Sequence, residues 1–221
     1  MNMPYKLSPS TLSLLEECPR CFWLQFNKGI KRPSTIFPSL LGGMDRILKE
    51  HFDRFMEKDG LPPELSDLDG DVKLFDDKDL LESWRNWRKG LRWKDDKCNE
   101  LTGAVDNILQ RGKKLIVLDY KTRGSPLKED SSDYYQNQLD IYNFLLRKNG
   151  YDTEDYAYLL FYHPDHVEED GDVVFNTDLK RIDTSVKNAE KVFNHALEVL
   201  NGSMPKCGCE CGFCALLDMQ L

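Results

Sequence analysis

The chain has 221 residues, room for one large domain or for a core with a small appended lobe. At 40% hydrophobic and 11% aromatic it can bury a sizeable core, yet no apolar run approaches the roughly 18 residues of a membrane span. A net charge of −8 argues against a protein that coats nucleic acid nonspecifically, and leaves room for a local basic groove.

The N-terminal ten residues lack the apolar stretch of a signal peptide, so a cytoplasmic location is expected. In a reducing compartment the seven cysteines read as metal ligands rather than disulfides. Acids crowd into 64–82 and 165–172, expected to be solvated loops. Bases gather at Lys28, Lys31 and Arg32, and again at Arg111, Lys113, Lys114, Lys121, Arg123 and Lys128.

Residues 8–27 open with a helix start: Ser8 suits an N-cap and Pro9 the first helical position. Cys18-Pro19-Arg20-Cys21 follows. A second C-x-x-C, Cys211 to Cys214, lies near the other end, preceded by Cys207 and Cys209. Two such pairs supply the four soft ligands of a structural zinc or a [4Fe–4S] cluster, which would clasp the two ends.

Residues 38–57 predict an amphipathic helix. At about 100° per residue, Leu41, Met44, Ile47, Leu48, Phe52, Phe55 and Met56 share one arc. Asp45 falls inside it, and an acid there needs a metal, a cation or a cap. His51 near the arc's edge reads as a packed histidine. Residues 58–98 are expected to be loop and helix, with a helix over 78–90 stopped by Gly90. Asp67-Leu-Asp69-Gly-Asp71 lacks the glycine and glutamate of a calcium loop. Trp84, Trp87 and Trp93 could stack on bases, but core or groove packing is the expected use.

Leu101–Thr122 reads as two strands joined by a turn at Arg111-Gly112-Lys113. Val105, Ile108, Leu115, Val117 and Leu118 are its aliphatic residues. Asp119 and Lys121, two apart, point to one face. A helix over 133–149 ends at Gly150, with Gln138 and Tyr142 on one face. A strand over 155–162, an exposed turn at His163-Pro164-Asp165-His166, a short strand at 173–175 and a helix over 184–200 complete the chain.

In this order the motifs resemble the PD-(D/E)XK nucleases of the RecB-like branch. More narrowly, they resemble the cluster-bearing exonucleases of CRISPR adaptation and the AddB-type recombination nucleases. Gly103-Ala-Val-Asp106 matches the family's G-x-x-D, Asp119-Tyr-Lys121 its D-x-K, and Gln138-Leu-Asp-Ile-Tyr142 its Q-x-x-x-Y. The terminal cysteines resemble its split metal site.

The resemblance implies a restriction-endonuclease-like α/β fold with a mixed central sheet flanked by helices and a cysteine site joining the ends. It implies one domain over 1–221, with 1–37 and 203–221 as the cysteine lobe and 58–98 as an insertion. Mg²⁺ or Mn²⁺ is expected on Asp106, Asp119, the Tyr120 carbonyl and Asp45, which stands where the family usually has a histidine. Lys121 is expected to orient or deprotonate the water or to offset phosphate charge, with Gln138 and Tyr142 positioning substrate or water. Cys18, Cys21, Cys211 and Cys214 are the expected cluster or zinc ligands, with Cys207 and Cys209 as alternates. Lys31, Arg32, Lys114 and Arg123 are expected to track DNA, single-stranded or at ends, alongside recombination, repair or CRISPR adaptation proteins. The competing expectation is a catalytically silent DNA-binding or assembly subunit on the same fold.

Overall fold

The computed structural model describes residues 4–33, 39–68, 70–128, 131–208 and 210–219; Asp69 and Cys209 lie outside them. Strand β1 (Lys6–Leu7) leads into helix α1 (Pro9–Glu17). The Ser8 hydroxyl accepts from the Thr11 amide and the Thr11 hydroxyl from the Ser8 amide, a reciprocal cap. Pro19 forces Cys18 into extended backbone, so the helix breaks there and α2 (Pro19–Asn27) starts afresh.

Helix α3 (Ser39–Met56) buries Met44, Leu48 and Phe52. The stripe is narrower than the sequence arc: Leu41 and Ile47 are 37% and 44% exposed. Strand β2 (Val72–Leu74) and helix α4 (Lys78–Arg85) come next. The helix expected to reach Gly90 stops at Arg85, where Asn86 turns to extended backbone; Gly90, φ 50°, then passes so close to Gly103 that a Cβ would meet its carbonyl at 2.5 Å. Strands β3 (Leu91–Lys94) and β4 (Glu100–Gly103) follow, then β5 (Asn107–Arg111) and β6 (Lys114–Thr122). Gly112, φ 58°, supplies the left-handed turn residue between β5 and β6.

Helix α5 (Gln136–Lys148), strand β7 (Tyr156–Val167), strand β8 (Val173–Asp183), helix α6 (Val186–Asn201) and helix α7 (Gly212–Met219) complete the chain. The expected turn at His163–His166 is strand instead, and the expected strand at 173–175 runs on to Asp183. Beyond His163, β7 is exposed and pairs only with β8, so backbone pairing alone extends it where the apolar pattern has ended.

Five strands form one mixed sheet in the order β2-β5-β6-β7-β8, in which β6–β7 is the parallel pair. A smaller mixed sheet runs β1-β4-β3. Alternation along β6 sorts the core. Leu115 and Val117 face a cluster built with α1, α2, α4, α5 and α6, whereas Ile116, Leu118 and Tyr120 face one built with α3. Segment 58–98 contributes to both sheets, through edge strand β2 and through β3. Among the described residues no helix is long and apolar enough to cross a membrane.

Candidate active site

The β5–β6 ladder ends at the pair Asn107–Leu118. One step further, Asp106 stands across from Asp119, where β5 leaves the sheet and the sheet opens. Asp119 is 1% exposed. Lys121, on the same face, forms an ion pair with Asp119 Oδ2 and sits 4.7 Å from the Tyr135 ring centre. That Oδ2 accepts no well-aligned hydrogen bond. The other carboxylate oxygen accepts from Gln138 Nε2 at 3.2 Å, and the same amide reaches the Tyr142 hydroxyl at 2.8 Å. Gln138 and Tyr142 are thus brought onto Asp119 by one turn of α5.

Burial pushes the Asp119 carboxyl up to about 7, with Lys121 pulling it down and Asp106 pushing it up. Burial opposes the Lys121 charge, but the two aspartates outweigh it and its pKa is raised. Lys121 is thus kept charged by the aspartates, while burial draws Asp119 toward its neutral form.

Asp106 is held from several sides. Its Oδ2 accepts from the Tyr120 amide at 3.1 Å. Its carbonyl accepts from Arg85 Nε at 2.8 Å, and Arg85 in turn is fixed by Asp53 of α3 at 2.8 Å. The Tyr120 side chain points away, its hydroxyl accepting from Asn107 at 2.6 Å in the opposite core. In a strand the N–H and C=O of one residue face the same side. The Tyr120 carbonyl therefore faces the side on which Asp106 lies.

Asp45 does not reach this pair directly. Lys49, one turn along α3, places its ammonium 2.7 Å from Asp45 Oδ1 and 3.2 Å from Asp106 Oδ1. Lys49, Arg85 and Tyr135 were not singled out from sequence. The i, i+4 spacing of Asp45 and Lys49 was the available signal for the first.

A cleft of about 980 Å³ opens beside the site. Gln138, Tyr142 and Tyr135 form part of its wall, joined by Lys31, Trp87, Tyr134 and the α1 cap residues Ser8 and Ser10. The tryptophans separate cleanly. Trp84 stacks on Phe75 and Trp93 packs on Phe144 and Phe193, whereas Trp87 is 75% exposed in the cleft. Of the other expected DNA contacts, Arg123 follows directly on β6 at the site end. Lys114 pairs with Glu154 at the far end of β6, seven residues or about 23 Å from Lys121. Arg32 pairs with Glu17 and donates to Cys211 Sγ at 3.5 Å.

The cysteines meet where α1, α2 and α7 converge. Among the described residues, Cys18, Cys21, Cys211 and Cys214 are the one group of potential metal ligands, three or more in number, whose donor atoms all lie within 4.8 Å of one another. Sulfur separations are 3.4 Å for Cys21–Cys211, 3.5 Å for Cys21–Cys214 and 3.7 Å for Cys18–Cys214. Cys207 is exposed and outside the group. The Gly208 amide donates to Cys18 Sγ at 3.3 Å. Burial raises all four thiols, but amide hydrogen bonds bring Cys18 down to about 6 and lower Cys211, while Cys21 and Cys214 stay raised. Four thiols this close cannot all ionise without a cation among them.

An α/β fold that sets two carboxylates and a lysine at the open end of its central strands defines a class of phosphodiester-cleaving proteins. The chain belongs to the PD-(D/E)XK nuclease superfamily, whose model matches residues 6–219. A solved structure reported as "Crystal structure of SSO0001" is similar at 14% identity and a TM-score of 0.47, over 92% of this chain and 80% of that one. No curated protein matches.

Proposed function

We propose that the protein is a metal-dependent DNA nuclease of the RecB-like branch, working from strand ends. The observation that carries this is the register of β5 and β6, which sets Asp106 across from Asp119 with Lys121 on the same face. The donor set fits Mg²⁺ or Mn²⁺: the hard carboxylate oxygens of Asp106 and Asp119, with the Tyr120 carbonyl facing the side of Asp106. Such an ion, when bound, lowers the pKa of water and offsets charge on the phosphate. Lys121, kept charged by the two aspartates, orients the attacking water and offsets phosphate charge. Gln138 fixes the Asp119 carboxylate and ties it to Tyr142. Arg85 keeps Asp106 at the ladder's end.

The cleft supports an unpaired strand as substrate. A tryptophan exposed on its wall offers a stacking face that a duplex, with its bases already stacked, does not use. Lys31 and the N-terminal end of α1 supply positive charge for the backbone. The remote placement of Lys114 leaves Arg123 and Lys31 as the better-placed phosphate contacts. The terminal cysteines support the likeness to CRISPR adaptation or recombination nucleases. Their sulfur separations favour a single zinc, because Zn–S bonds near 2.3 Å place tetrahedral sulfurs about 3.8 Å apart. A [4Fe–4S] cube carries its thiolates on four separate irons and holds them further apart. Metal analysis with an absorbance spectrum decides between a colourless zinc protein and a brown iron–sulfur one.

With Mg²⁺ or Mn²⁺, the purified protein is expected to degrade linear single-stranded DNA and to spare a closed circle. Lys121→Ala and Asp119→Ala each lower the rate by a factor on the order of a hundred or more. Undiminished cleavage by either folded variant overturns the assignment, and equal cleavage of the circle overturns its end-directed part.

A further inference from the structure

Lys49, with its partner Asp45, is a charged part of the site that the nuclease reading leaves without a task. It is not a surface lysine: its side chain is 22% exposed, on the helix turn that faces the open end of β5. Its ammonium touches both Asp45 oxygens, at 2.7 and 2.9 Å, and reaches Asp106 Oδ1 at 3.2 Å. Asp106 therefore gives one oxygen to Lys49 and the other to the Tyr120 amide. Asp119 meets Lys121 and Gln138.

The charges follow from this geometry. Three carboxylates face two ammonium groups, a net charge of −1 with all five ionised. One divalent ion already takes that charge to +1, and two would take it to +3. A second would have to displace an ammonium group or crowd against it, at contact distances where like charges repel strongly in a half-buried site.

We propose that Lys49 is the built-in second cation of this centre: it holds Asp45 to Asp106 in the place of a second divalent ion, so the site takes a single Mg²⁺ or Mn²⁺ on Asp106 and Asp119. Asp45 then acts through Lys49 as a positioning residue rather than as a metal ligand. This rests on the nuclease reading above.

The test reads metal binding without substrate, so it does not depend on activity. Mn²⁺ is the probe, because its preference for hard oxygen ligands keeps it out of the cysteine centre. Titration of the full-length protein, followed by the EPR signal of free Mn²⁺, is expected to give one tightly bound ion per chain. Asp119→Asn is expected to abolish it. Lys49→Met is expected to bind a second ion, or to bind the first at least about tenfold more tightly. Lys49→Arg, which keeps the charge, is expected to stay at one. Loss of the second ion in Lys49→Met with Asp45→Asn would tie it to the carboxylate that Lys49 releases. Two ions in the wild-type protein overturn the role of Lys49 alone, even if Lys49→Met fails to fold. So does an unchanged titration in folded Lys49→Met. No Mn²⁺ bound by the wild type or by Lys49→Met overturns the nuclease reading together with this one.

Discussion

At Gly103 a Cβ atom would lie 2.9 Å from the Tyr142 ring and from Leu145. The first residue of the G-x-x-D motif is thus where β4 passes against α5, and Tyr142 in turn is tied through Gln138 to Asp119. Gly103→Ala must push the tyrosine aside. We expect a loss of about 1–3 kcal/mol, read by denaturant unfolding, and a fall in cleavage from the displaced Gln138. Wild-type stability and rate would mean that the ring yields freely. At this scale the sequence was informative about type and poor about partners. Asp106, Asp119 and Lys121 stood out because charged groups at the end of an apolar strand need a reason to be there. The cation that answers Asp45 was written four residues away, but the side-chain positions that carry Lys49 on to Asp106 come from the packing of α3 against the sheet.

Among the elements, α5 and α6 are joined by a residue that the Q-x-x-x-Y pattern treats as a spacer. Asp140 is 1% exposed and accepts from the Ser185 amide, Asn188 Nδ2 and Gln136 Nε2, each at 2.8 Å. It thereby reinforces the cap that starts α6. Asp140→Ala takes an acceptor from three donors, of which the Gln136 and Asn188 amides keep the Asp183 carbonyl and Asn137 Oδ1, and is expected to cost about 1–2 kcal/mol. For a chain of this length that is roughly 2–4 °C of Tm per kcal/mol, measurable by circular dichroism. A melting temperature within a degree of wild type would show that water replaces the carboxylate. Element types were largely readable from period and caps. Their ends were not where tertiary contacts intervene: α4 stops early, at Asn86, as the chain turns toward the pairing of β3 with β4, and β7 and β8 outrun their apolar pattern because each pairs with the other.

For the whole molecule, the cysteine centre is the tie between its two ends. Cys18 and Cys21 lie at the joint of α1 and α2, while Cys214 is buried in α7 with Cys211 beside its start. Only Leu14 and Phe213 pack on this group besides the thiols themselves, among the described residues, so the contact has little apolar support of its own. Metal binding must then supply much of it. Stripping the metal with a strong chelator is expected to destabilise the protein by several kcal/mol, on the order expected for structural sites, and to lower Tm accordingly. Cys21→Ser and Cys214→Ser should do the same, while Cys207→Ser should leave melting unchanged. An unaltered Tm after complete removal of metal would show that packing alone holds α7 in place.

By itself the sequence determined the family's order of motifs, the D-x-K face of β6, the Gln138–Tyr142 face of α5 and the pairing of two C-x-x-C motifs, since each is a matter of local spacing along one chain segment. The tertiary structure decided what those segments meet. It separated one exposed tryptophan from two packed ones, sent Arg32 to the thiols and Lys114 to the far end of its strand, and set Lys49 between two aspartates. Spacing fixes which face a side chain takes; only the packing of helix on sheet fixes which charge waits on the other side.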